Sequence, residues 1–184
     1  MSVSTKDLLS ADHADADRLL NEVFAALKKA DCRDAFELLD LFWARLAMHI
    51  RAEHLHLFPA MLGSVDSGLI KNDGPSSKSV ADVITQLHLD HDYFMTELAG
   101  VIKQMRALMA NNESNASPVL ADITMTLESI RARLKSHDEL EEAEIYALAD
   151  LIHSPAEVLS LNSRIRKEIE NLPPRFVNRT YAGI

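Results

Sequence analysis

Residues 120–148 read LADITMTLESIRARLKSHDELEEAEIYAL, and this stretch decides how the rest of the chain is interpreted. Its apolar residues recur every three or four positions, which is the spacing of one face of an α-helix. The same face then carries His137 and Glu141 where two more apolar residues would be expected. A carboxylate that faces a helical core is costly unless a partner compensates its charge. The interruption therefore indicates a candidate site.

Three other segments carry an apolar stripe that is interrupted in the same way. His49 and Glu53 interrupt one of them with the same spacing of four, and single histidines, His13 and His91, interrupt the other two. Helix-breaking residues separate the segments. We therefore expect four long helices over residues 5–30, 33–62, 80–110 and 118–153, a polar loop over 63–79, and a short helix that starts at Pro155 and is stopped by Pro173-Pro174.

These segments predict an all-α fold, an up-down-up-down four-helix bundle with a short additional C-terminal helix. The length fits one domain, which we place at residues 1–171, followed by a C-terminal tail at 172–184. In that topology the histidines meet. His13 lies about 17 residues before the first helix ends and His49 about 16 after the second begins, so at ~1.5 Å per residue they come level. The same count brings His91 level with His137.

Composition excludes several classes of function. The net charge of -9 argues against a nucleic-acid partner, which normally needs a clustered positive surface. Cys32 is the only cysteine in the sequence, so neither an intrachain disulfide nor a thiolate metal site is expected. No stretch approaches the ~20 apolar residues of a membrane span, and none resembles a signal peptide. We therefore expect a cytoplasmic protein with no membrane partner.

The chain also reads as two copies of one helical hairpin. Asp12-His13 corresponds to Asp90-His91, residues 49–53 (HIRAE) correspond to 137–141 (HDELE), and Phe58 corresponds to Tyr146. Each copy supplies one lone histidine and one His-x-x-x-Glu pair, whose members share a helix face. Four imidazoles and two carboxylates suit iron, manganese or zinc, and carboxylates placed to bridge suit two ions.

This set of residues resembles the hemerythrin-like HHE cation-binding family over roughly residues 5–153. The resemblance implies a non-haem centre of two iron ions completed by an oxo or hydroxo bridge. It makes Glu53 and Glu141 the bridging carboxylates. The terminal ligands that it implies are His13, His49, His91 and His137.

Departures from the oxygen-carrying members narrow the expected function. Those members have a fifth histidine four residues after the one on the third helix, where this chain has Met95. The four-histidine, two-glutamate set is instead similar to the di-iron domain of iron–sulfur-cluster repair proteins, although the cysteine-bearing N-terminal segment usual there is lacking. We expect a protein that binds or reacts with O2, NO or peroxide in sensing, detoxification or iron homeostasis. Cluster repair under nitrosative or oxidative stress is the alternative. A metal-free structural or partner-binding bundle is a third reading, and whether the protein is an enzyme stays open.

The sequence leaves the role of some nearby side chains undecided. His88 lies three residues before His91 and can share its face as a fifth imidazole, although a surface role is favoured. His54 and His56 are expected at the helix surface, even though Glu53 with His56 forms the Glu-x-x-His spacing of ferritin-like proteins. We expect Glu142 and Glu144 on a solvated face. Four aromatic residues can shield the site, but their helical spacing favours ordinary core packing: Trp43, Tyr93, Phe94 and Tyr146.

Overall fold

The computed structural model describes residues 3–69, 79–111, 116–152 and 154–176. All the regular elements in these ranges are helices, as the apolar periodicity predicts. Their bounds are α1, Thr5–Lys28; α2, Cys32–Ala52 continued by a π-helical turn, Glu53–Leu57, into Phe58–Asp66; α3, Val80–Asn111; α4, Ala116–Glu141 continued by a π-helical turn, Glu142–Tyr146, into Ala147–Ile152; α5, Pro155–Ile169; and a 3-10 turn, Pro174–Phe176.

Side chains cap the helix starts where the sequence changes from polar to periodic. The Ser4 hydroxyl accepts a hydrogen bond from the backbone of Asp7 at the start of α1. Ser154 and Glu157 form a reciprocal capping box at the start of α5, with Pro155 at its first position. Such caps satisfy backbone N–H groups that have no partner within the helix. Start and stop signals in the sequence therefore place these helix ends well.

Three predicted boundaries are wrong by two to four residues. Helix α1 ends at Lys28 and not at Ala30. Helix α2 continues to Asp66 and so takes in the first residues of the predicted loop, and residues 70–78 of that loop lie outside the described part of the chain. Helix α4 begins at Ala116 and not at Pro118. Proline is tolerated there because the first turn of a helix has no internal acceptor for its N–H groups. His153, the predicted end of α4, is also outside the described residues.

The helices pack as a bundle around a core that polar residues divide in two. Helix α1 packs on α2 and α4, and α3 packs on α2 and α4, while α5 covers α2. One apolar cluster contains Phe42, Phe94 and Leu134, and the other contains Leu9 and Ile145. On each long helix the predicted histidine lies between a residue of one cluster and a residue of the other. A polar layer therefore crosses the middle of the bundle.

Helix α5 and the start of the tail also pack against the bundle. Leu161 and Ile165 of α5 are buried in the second cluster, and Phe176 is buried in the first. The Arg175 guanidinium lies 3.1 Å from the Asp40 carboxylate of α2. Within the described ranges, no helix combines the length and the apolar character that crossing a membrane requires.

Leu127→Ala should destabilise the bundle by about 2–5 kcal/mol, because it leaves a cavity in a closely packed core. Leu127 is fully buried in α4, whereas Met125, two residues earlier, is 60% exposed. Met125→Ala is therefore the matched control and should change the free energy of unfolding by less than ~0.5 kcal/mol. Urea denaturation of both metal-free variants measures the difference. Equal losses would contradict the assignment of this helix face to the core.

Candidate metal centre

The six residues singled out by their spacing converge in the polar layer. They come from all four long helices: His13 from α1, His49 and Glu53 from α2, His91 from α3, and His137 and Glu141 from α4. All of them are buried except His13, whose side chain is 11% exposed. His13, His49 and Glu141 form one group with the spacing of a metal site, and His91, His137 and Glu141 form another. Glu53 adjoins both groups through His49 and His91.

The first group lies between α1 and α2. The Nε2 atoms of His13 and His49 are 3.1 Å apart. Glu141 Oε2 lies 3.3 Å from His13 Nε2, and Glu53 Oε1 lies 3.5 Å from His49 Nε2. Two imidazole nitrogens and two carboxylate oxygens therefore face one point.

The second group lies between α3 and α4 and repeats this arrangement. The Nε2 atoms of His91 and His137 are also 3.1 Å apart. Glu53 Oε2 lies 3.4 Å from His91 Nε2, and Glu141 Oε1 lies 3.1 Å from His137 Nε2. Each glutamate therefore presents one oxygen to each pair of histidines, which is the arrangement of a carboxylate that bridges two ions.

The buried carboxylates of this layer are negative charges that cations would compensate. Glu53 and Glu141 are both 0% exposed, and Glu53 Oε2 and Glu141 Oε1 form no well-aligned hydrogen bond to any described residue. Burial opposes ionisation of Glu141, but the charge of His137 and the close imidazole nitrogens of His13 and His137 outweigh it and hold the pKa of Glu141 well below its usual value. Burial likewise lowers the pKa of His137, and the Glu141 carboxylate outweighs it and raises the pKa to about 9. Neutral imidazoles around metal ions would compensate the same carboxylates.

In each His-x-x-x-Glu pair, an aspartate carboxylate contacts the Nδ1 atom of the histidine. His49 Nδ1 donates to Asp12 Oδ2 at 2.9 Å, and His137 Nδ1 lies 3.4 Å from Asp90 Oδ2. The Asp12 carboxylate also accepts a bond from Arg45 at 2.8 Å. Burial would raise the pKa of Asp12, but His49 and Arg45 outweigh it and lower the pKa to about 2. An aspartate that binds Nδ1 turns Nε2 toward the centre, as it does for metal-ligating histidines generally.

In the second half of the repeat, Arg133 binds Asp90 as Arg45 binds Asp12 in the first half. Its guanidinium lies 2.6 Å from Asp90 Oδ1 and stacks over the Tyr93 ring. Sequence reasoning used Asp12 and Asp90 only to align the two hairpins and gave them no role. The signal was present, because each aspartate directly precedes a lone histidine.

The outer nitrogens of the two lone histidines have different partners. His91 Nδ1 is 2.9 Å from His54 Nε2, whereas His13 Nδ1 lies 3.6 Å from the Glu142 carboxylate. His54 and Glu142 are equivalent in the repeat, since each directly follows the glutamate of a His-x-x-x-Glu pair. His54 is exposed, as predicted, yet it contacts the buried layer.

Tyr146 is the residue that sequence reasoning most clearly misjudged. It was assigned to core packing, but its hydroxyl lies 2.6 Å from Glu53 Oε1 and 2.7 Å from Glu141 Oε2. It is also 3.1 Å from His13 Nε2. Burial, reinforced by the two carboxylates, raises the pKa of Tyr146 well above its usual value.

The two π-helical turns explain how this contact arises. They span Glu53–Leu57 and Glu142–Tyr146, directly at or after the glutamates. A π turn joins residues five apart, so Tyr146 comes under Glu141, whereas regular α geometry of 3.6 residues per turn would rotate it away. Such single turns are frequent at functional sites. The apolar periodicity did not reveal them, because one extra residue per stripe resembles ordinary variation between spacings of three and four.

A small cavity adjoins the first group. Its free volume is about 20 Å³, roughly the space that one water or diatomic molecule needs. Phe42, Leu46 and Leu134 contribute apolar walls next to His13 and His49. The exposed Asp17 is also part of the lining, so the cavity borders on the surface.

The other side chains whose role the sequence left undecided lie outside the two groups of donor atoms. His88 is exposed and contacts the rings of His54 and Phe58. His56 lies 3.9 Å from Glu168 of α5. Glu144 was expected on a solvated face, but it is only 5% exposed, because the π turn rotates it inward.

Comparison with known proteins agrees with this geometry. The sequence matches the family described as the hemerythrin HHE cation binding domain over residues 4–149, which is most of its length. Neither the curated proteins nor the solved structures gave a match. The matched range contains both His-x-x-x-Glu pairs and both lone histidines. This chain belongs to the hemerythrin HHE cation-binding domain family.

Proposed function

We propose that the protein is a non-haem di-iron protein. The observation that carries this proposal is the division of each buried carboxylate between two pairs of histidines. The proposed ligands are His13, His49, Glu53, Glu141, His91 and His137. Imidazole and carboxylate donors suit iron, and family membership supports a cation at this place. Alternating directions of the four long helices, which would bring the ligands to one level, are part of the proposal.

We assign the bound iron to reaction with a small oxidant or diatomic, namely O2, NO or peroxide. When bound, the two ions would supply the electrons for that chemistry. The chain itself provides a small cavity at His13 and His49, with a free volume of about 20 Å³ and apolar walls from Phe42, Leu46 and Leu134. Asp12 and Asp90 orient the imidazoles, and the flanking apolar clusters keep bulk water from the carboxylates.

Reversible oxygen transport is not the proposed role. Met95 occupies the position four residues after His91 and packs against the first apolar cluster, so no fifth imidazole comes from there. A centre with fewer imidazoles leaves more coordination positions open, which favours redox reaction over protected storage. Sensing, detoxification or iron homeostasis in the cytoplasm therefore fits this centre best. Repair of iron–sulfur clusters is the alternative, and it would require transfer of iron to a second protein.

Glu53→Gln combined with Glu141→Gln should abolish binding of iron, because neutral amides bridge cations poorly and no longer require them. Wild-type protein purified from iron-replete cells should contain two irons per chain. Glu139→Gln removes an exposed carboxylate on the same helix and is the matched control, with full iron content expected. Metal analysis of purified proteins measures this, with circular dichroism to verify the helical fold. Metal-free wild-type protein, or a folded double variant with full iron, would contradict the proposal.

Asp12→Asn should weaken iron binding by about 10–100-fold, because the ligand His49 loses the carboxylate that orients it. Asp15→Asn is a matched control, since Asp15 also contacts Arg45 but touches none of the proposed ligands. Competition with a chelator measures both affinities. Equal affinities in the two variants would show that Asp12 contributes only to folding.

Mixing the reduced iron protein with air-saturated buffer should give rapid and irreversible oxidation of iron. Stopped-flow absorbance measures the rate, and flushing with argon tests reversal. Repeating the experiment with NO and with peroxide identifies the preferred reactant and shows whether turnover is catalytic. Oxygen uptake that reverses under argon would instead indicate storage. Transfer of iron to an apo iron–sulfur protein, without consumption of any oxidant, would favour repair.

A further inference from the structure

The Tyr146 hydroxyl lies among donor atoms of the first metal position. Its oxygen is 2.6 Å from Glu53 Oε1, 2.7 Å from Glu141 Oε2 and 3.1 Å from His13 Nε2. His49 Nε2 is 3.4 Å away. The phenol oxygen is thus as close to these four atoms as they are to one another.

With both carboxyls ionised, hydrogen bonding alone does not account for these contacts. A phenol has one proton to donate, so it can satisfy only one of the two carboxylates. The other short contact sets two oxygen atoms against each other with no hydrogen from the phenol between them. Glu53, Glu141 and Tyr146 are all fully buried, so water does not relieve the repulsion. A cation among the oxygens does.

The spacing of the atoms also fits a shared ion. Neighbouring donors around one octahedral ion at ~2.1 Å lie about 3 Å apart. The contacts between these five donor atoms that are described above range from 2.6 Å, between Tyr146 and Glu53, to 3.5 Å, between His49 and Glu53. The phenol oxygen therefore occupies the place of a fifth ligand.

We propose that Tyr146 is a metal ligand, with its phenolate oxygen coordinated to the ion that His13 and His49 hold. This inference rests on the proposed di-iron centre and extends it by one ligand. On binding, the phenol O–H bond breaks, the proton leaves to solvent, and the oxygen keeps the electron pair that it gives to the ion. No oxidant or reductant is needed.

The two metal positions are then unequal. Phe58 stands five residues after Glu53, as Tyr146 stands five after Glu141; Phe58 directly follows the first π turn, and Tyr146 is the last residue of the second. The Phe58 ring stacks on His91 with centroids 6.0 Å apart, but it has no oxygen to offer. The ion beside His91 and His137 would therefore have one protein ligand fewer than the ion beside His13 and His49.

Visible absorption and resonance Raman spectroscopy of the oxidised, iron-loaded protein test this inference. Phenolate bound to Fe(III) gives a charge-transfer band in the visible region, and excitation in that band enhances phenolate ring vibrations. Wild type should show both, and Tyr146→Phe should lose both while it keeps iron through its remaining ligands. The sequence has three tyrosines, so Tyr93→Phe combined with Tyr181→Phe leaves Tyr146 alone and should retain the full signal.

The outcomes separate this inference from the proposed function. If wild type binds two irons but shows no phenolate vibrations, the tyrosine ligand is overturned and the di-iron centre stands. The same conclusion follows if the vibrations persist in Tyr146→Phe. Absence of bound iron in wild type would overturn both. If Tyr146→Phe fails to fold or to hold iron, wild type and the variant with Tyr146 as sole tyrosine decide the question, because their vibrations must then be present and equal.

Discussion

Two carboxylates buried at the middle of a helical bundle are the constraint on which this structure depends. Glu53 and Glu141 are fully buried, and together with Tyr146 and four imidazoles they form a polar layer between two apolar clusters. Isolated buried charges cost several kcal/mol each, so such a layer is retained only where something compensates it. Against the effect of burial, the nearby carboxylates raise the pKa of His13, His49 and His137. Two cations would compensate the same carboxylates through direct bonds. Iron binding and bundle stability should therefore be coupled.

The repeat explains why the layer is nearly symmetric, and its exceptions explain why the two halves differ. The pairs His49 with Asp12 and His137 with Asp90 use one solution twice. The two halves differ at the residue directly after the buried glutamate and at the residue five positions after that glutamate. Imidazole meets imidazole at His54 and His91, and the hydroxyl of Tyr146 has only a phenyl ring as its counterpart. These differences surround the centre, where they would assign different roles to the two ions.

The sequence was sufficient for the helices and for the six convergent side chains, because both follow from periodicity. A histidine or glutamate on an apolar stripe must point into the core, and the hairpin repeat fixes which residues share a level. Tyr146 was missed because a tyrosine on the same stripe is also a normal core residue, and only a π turn decides where its hydroxyl points. Glu144 was misplaced for the same reason. The partners of Nδ1 depend on contacts between helices, which spacing along one helix does not encode.

The central claim is that metal ions lie between Glu53 and Glu141, and anomalous diffraction at the iron absorption edge tests it most directly. Crystals of the iron-loaded protein should show two peaks per chain. One should lie beside His13, His49 and Tyr146, and the other beside His91 and His137. Crystals of protein with measured iron that show no anomalous peak between the two carboxylates would contradict the account.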